Sequence, residues 1–127
     1  MDRHHHAYAH TGRAFTDGER LKGLAPSTYP PFMIQEWLTR PASNIAETFT
    51  DVDLAAKWLR AEMEAHPPMD VQSFGIDARM RHVVETLGQE RGADVVWGYY
   101  CGKQMVSRAM ISCAPGASRV PCPEGRK

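Results

Sequence analysis

The chain has no apolar run that approaches the roughly 18 residues a membrane-crossing helix needs. Its opening residues, MDRHHHAYAH, carry no apolar core of the kind a secretory leader uses. Both absences lead to the expectation of a cytoplasmic protein without a membrane partner. Net charge is also lacking, because 15 Lys and Arg balance 15 Asp and Glu. A neutral chain has no global attraction to nucleic acid or anionic lipid. Cysteines are few and odd in number, at three. Cys101, Cys113 and Cys122 therefore read as free thiols of a reducing compartment rather than as a disulfide framework. No Walker-type or G-x-G-x-x-G loop is present, which removes the common phosphate cradles. No internal repeat or low-complexity segment occurs.

What is present is the material of one domain: 127 residues, 43% of them apolar. The charge is unevenly spread. Residues 1–30 carry a net +1, residues 31–94 a net −5, and residues 95–127 a net +4. Such blocks are ordinarily solvated faces that attract one another.

Local patterns divide the chain into 1–13, a flexible His-containing arm; 14–115, a single α+β domain; and 116–127, an extended tail. Thr16 is placed to cap a short helical turn. The segment FMIQEWL, residues 32–38, is rich in aromatic and aliphatic side chains and is bounded by prolines, so it reads as a strand. Residues 51–65 form a helix with Val52, Ala55, Ala56, Leu59 and Met63 on one stripe, capped by Thr50. Pro67 closes it, because a proline disfavours helical geometry in the residue before it. Residues 74–88 form a second helix, with Ile76, Met80, Val83, Val84 and Leu87 buried and Gly88 as a stop.

The run VVWGYYCGKQMVSRAMISC then reads as a β-hairpin over 94–101 and 104–113. Gly102-Lys103 is a two-residue turn of the kind that takes glycine first. This register pairs Cys101 with Gln104, Tyr99 with Val106, Trp97 with Arg108 and Val95 with Met110. The alternate pairs are Tyr100 with Met105, Gly98 with Ser107 and Val96 with Ala109, on the opposite face. The fold class that results is α+β: a small antiparallel sheet of about three strands, two helices on one face, and the order β-α-α-β-β. The open edges of such a sheet offer a route to self-association.

No constellation forms a recognisable catalytic motif. Glu62 and His66, and His82 and Glu85, are helical neighbours of the kind that sit on solvated faces. Cys101 lies near Lys103, but a nucleophilic thiol needs a base that the sequence alone does not bring to it. No catalytic residue, metal ligand or cofactor is therefore assigned. Three functional readings remain. The first is a small non-catalytic protein acting by protein–protein contact, as a regulator, inhibitor or assembly factor. Its contact residues are Trp97, Tyr99, Tyr100, Lys103 and Arg108, because aromatic side chains and Arg concentrate at interface centres. The second uses the same hairpin to stack bases and neutralise phosphates. The third is a small zinc-binding protein or enzyme that draws on His4, His5, His6 and His10 of the arm, for example a His4/His10 pair, with Cys113 and Cys122 as ligands. That third reading requires the arm to fold back on the tail, and Cys113 and Cys122 are spaced more widely than the usual close pairs.

Overall fold

The computed structural model describes residues 3–69, 75–89, 93–114 and 120–125. Strand β1 (His4–Gly12) is followed by a short helix α1 (Asp17–Leu21), two 3-10 turns (Ile34–Thr39 and Ala42–Asn44) and strand β2 (Glu47–Phe49). Helices α2 (Val52–Ala65) and α3 (Ile76–Leu87) come next, then the hairpin strands β3 (Val95–Cys101) and β4 (Gln104–Cys113). The four strands form one antiparallel sheet in the order β2-β1-β4-β3. The α+β class with two helices on one face holds, with four strands in place of about three: β1 and β2 are new, and residues 32–38 are not a strand.

The hairpin has the register that alternation and the turn imply, from Val95 opposite Met110 to Cys101 opposite Gln104. Gly102 has φ 62°, whereas no described residue other than glycine has a positive φ. A turn whose first central residue alone is left-handed is the type that accepts glycine followed by lysine. Both long helices also follow their periodicity. Ala55, Ala56, Leu59 and Met63 of α2 are buried, as are Met80, Val83 and Leu87 of α3, whereas Val84, expected in the stripe, is exposed and Ile76 is only partly buried. The cap of α2 moves by one residue, because Asp51 rather than Thr50 accepts the amides of Asp53 and Leu54. Thr16 caps α1 and exchanges bonds reciprocally with Glu19. Residue 74, the expected start of α3, lies outside the described residues.

Two expectations are corrected. Residues 4–12 are not a flexible arm but a strand in the middle of the sheet, flanked by β2 on one side and β4 on the other. The strand is built by alternation. His5, Ala7 and Ala9 face the helices, while His4, His6, Tyr8 and His10 face the other way. The methyl-sized Ala7, with no exposed surface, lets the sheet and helices approach closely. Residues 32–38 are not a strand; Ile34–Thr39 is a 3-10 helix that buries Trp37 and Leu38 and leaves Phe32, Met33 and Ile34 exposed. Its apolar content serves as a lid over the sheet rather than as a part of it, because β1 already occupies the place beside β4.

The sheet therefore separates two cores. On the helix side, Ala7, Phe49, Val95 and Met110 meet Ala55, Ala56 and Leu59 of α2 and Met80, Val83 and Leu87 of α3. On the opposite side, Tyr8, Ala109, Ile111 and Cys113 lie beneath Trp37, Leu38 and Cys122.

Candidate metal centre

The second core contains four metal-ligating side chains. Residues two apart on a strand share a face, so β1 sends His4 and His6 to the same side. Cys113, the last residue of β4, lies directly across from His4. Segment 120–125 returns to this side and supplies Cys122. Its turn is encoded in Cys122-Pro123-Glu124-Gly125: the Gly125 amide donates to the Cys122 carbonyl at 2.9 Å, and Gly125 has φ 76°. Proline in the second place and glycine in the fourth suit this turn.

One donor atom from each of His4, His6, Cys113 and Cys122 lies within 4.8 Å of all the others, and all four residues are buried. The two imidazole Nε2 atoms are 3.0 Å apart. Cys122 Sγ is 3.6 Å from His4 Nε2 and 3.5 Å from His6 Nε2. A tetrahedral zinc ion, with bonds of about 2.0–2.1 Å to nitrogen and about 2.3 Å to sulfur, requires N···S separations of about 3.6 Å and N···N of about 3.3 Å. The spacings among His4, His6 and Cys122 match these values to within a few tenths of an ångström, and Cys113 Sγ lies within 4.8 Å of all three.

The chemistry fits as well as the geometry. Two thiolates cancel the charge of a divalent zinc, so the loaded centre is neutral and its burial carries little of the penalty of a bare charge. Imidazole and thiolate are the usual zinc donors, and four protein ligands leave no open position for water or substrate. Such a centre would hold chain segments together rather than act on a bound molecule. Tyr8 stacks on Trp37 with centroids 4.7 Å apart, and Ile111 and Leu38 complete the apolar wrapping. Among the described residues the buried Tyr8 hydroxyl has no hydrogen-bond partner. Burial first, and then the negative charge of Cys113, Cys122 and Glu124, pushes its pKa well above the usual phenol range.

His10 does not take the part expected of it. Six residues along an extended strand separate it from His4 by about 20 Å, too far to share an ion. Its Nδ1 lies 3.4 Å from Thr28 Oγ1, and its ring meets Tyr29 edge-on at 5.1 Å. Burial, reinforced by the nearby Arg108 charge, holds its pKa below the usual value. His6 takes the position instead. The available signal was the H-x-H spacing, which in a strand places both rings on one face.

Comparison with protein-family models, curated proteins and solved structures finds no match to this chain.

The five hairpin residues expected to contact a partner divide between the two sides of the sheet. Trp97 packs against the helix-side core, and the Tyr99 hydroxyl donates to the His66 carbonyl at 2.6 Å. Arg108 is 3% exposed; its Nε donates to Glu62 Oε1 at 3.0 Å, and its other nitrogens donate to the His10 carbonyl and Thr11 Oγ1. These three face the helices. Tyr100, 52% exposed, and Lys103 at the turn face solvent. Cys101 lies at the far end of β3 from the metal-ligating group.

Proposed function

We propose that this chain is a small, non-catalytic zinc-binding module whose fold is closed by one structural ion held by His4, His6, Cys113 and Cys122. The observation that carries this reading is the convergence of four buried donor atoms, two nitrogen and two sulfur, within 4.8 Å. Ligands from both ends of the described chain support a structural role, because the ion would tie β1, β4 and segment 120–125 together. The protein-contact reading survives as the module's outward activity through Tyr100 and Lys103, the exposed members of the expected five. Nucleic-acid binding draws less support, since Arg108 is occupied by Glu62.

Metal analysis of protein purified without an added histidine tag tests the reading. One zinc per chain is expected, and cobalt substitution should give the visible absorption of a tetrahedral site with sulfur-to-metal charge transfer. Cys113→Ser with Cys122→Ser should abolish both, whereas His10→Ala should change neither. Folded protein that holds no stoichiometric metal would sink the proposal.

A further inference from the structure

We infer that Thr48 and Glu124 form a hydrogen-bond relay that positions His6 and fixes its tautomer for metal binding. This rests on the reading of the cluster as a zinc centre. His6 Nδ1 lies 2.8 Å from Thr48 Oγ1, and Thr48 Oγ1 lies 2.9 Å from Glu124 Oε1. The carboxylate also stands 3.5 Å from His6 Nδ1 itself.

The direction of the relay follows from counting hydrogens. An ionised carboxylate only accepts, so the single hydroxyl hydrogen of Thr48 is directed to Glu124. The threonine oxygen is then left to accept, and the hydrogen between it and the ring must belong to His6 Nδ1. A neutral imidazole protonated on Nδ1 carries its lone pair on Nε2. Nε2 is the atom that faces His4 and Cys122. The relay thus presents the required tautomer before any ion arrives. It also increases the ring's donor strength by placing negative charge behind it.

The fold supplies each member for a visible reason. Thr48 is the residue of β2 directly opposite His6, and opposed residues share a face. Strand β2 is only three residues long, and its central side chain is the one in the relay. Glu124 stands two places after Cys122 in the same tight turn. The segment that delivers a sulfur ligand therefore also delivers the carboxylate behind the opposing histidine. Thr48 and Glu124 are positioning residues, since neither contributes one of the four converging donor atoms.

The test combines zinc affinity, measured by chelator competition, with the ring nitrogen shifts of His6 by NMR. Thr48→Val and Glu124→Ala should each weaken zinc binding by about 10–100-fold, the range seen when outer partners of a ligating histidine are removed. Thr48→Ser keeps the hydroxyl and should restore wild-type affinity. Glu124→Gln keeps an acceptor and should lose less than Glu124→Ala. His6 should carry its proton on Nδ1 in both metal-free and zinc-loaded wild type, and Thr48→Val should shift metal-free protein towards the other tautomer. Wild-type zinc affinity in folded Thr48→Val, or an Nε2 proton on His6 in metal-free wild type, would overturn the relay while leaving the zinc centre standing. A wild-type chain that binds no zinc would overturn both.

Discussion

The two sides of the sheet are built on different principles. The helix side holds two amphipathic helices whose apolar stripes close over Ala7, Val95 and Met110. Regular spacing produces that core, and apolar burial holds it. Among the described residues the other side has no long helix. A 3-10 turn and segment 120–125 cover it, with Trp37, Leu38 and Cys122 reaching inward. Four side chains able to hold a metal, His4, His6, Cys113 and Cys122, are buried beside these apolar groups. The contrast shows one small sheet closed by hydrophobic packing above and, on our proposal, by coordination below.

Removing the metal is the strongest way to break that contrast. Structural zinc contributes apparent binding free energies of about 10–16 kcal/mol in small metal-folded peptides. A strong chelator should therefore lower the thermal midpoint more than any single helix-side truncation. It should also act on one side first. In a background with Trp58 and Trp97 replaced by phenylalanine, Trp37 emission should shift to the red on chelation before the helical circular dichroism falls. Simultaneous loss of both signals would show that the two cores are one cooperative unit.

Truncation on the helix side should have the opposite selectivity. Leu59 is fully buried among α3 and the sheet. Leu59→Ala should cost about 2–5 kcal/mol through lost burial and the cavity left behind, measured by denaturant unfolding, with zinc stoichiometry unchanged. A smaller effect comes from the ion pair that joins α2 to β4. Glu62→Ala leaves the buried Arg108 without its carboxylate. Because Glu62 is about a third exposed and Arg108 keeps three oxygen partners, the expected loss is about 1–2 kcal/mol, below the range for fully buried pairs.

The smallest effect should leave both sides alone. Arg13 and its hydrogen bond, followed by the Thr16 amide, hold the Glu19 carboxyl at about 2, below the ordinary 4.5. A depressed carboxylate pKa stabilises the folded state above the unfolded value, and that contribution fades as pH falls from about 4.5 to about 2. The pair is exposed, so added salt should shrink the effect. A direct NMR titration of the Glu19 carboxyl should give the depressed value, and Arg13→Ala should return it towards the ordinary one.

The parts of the fold legible in the sequence were those with their own local signal. The hairpin had a turn glycine and alternating strands, and α2 and α3 had apolar residues at helical spacing. Strand β1 was hidden because its inward side chains include two alanines, which add little hydrophobic contrast, and its other face is histidine and tyrosine. Strand β2 is three residues long and exists through its partner. Residues 32–38 had strand-like composition, but burial selected Trp37 and Leu38, adjacent residues that a strand would send to opposite faces. The site was harder still. Its ligands form two pairs more than a hundred residues apart, and Cys113 and Cys122 lack the close spacing of familiar zinc motifs. The register of β1 against β4 and the return of segment 120–125 bring them together.

That register also sets the order in which the chain can fold. The central strand, His4–Gly12, finds its longest partner in Gln104–Cys113, so the middle of the sheet joins segments about a hundred residues apart. Contacts of such long range slow folding, because loop closure is costly before pairing rewards it. The first strand must wait, its histidines unpaired with any cysteine, until β4 has been made. Helices α2 and α3 can meet earlier, but the sheet they cover is completed last. A chain lacking β4 would leave its first strand without its main partner.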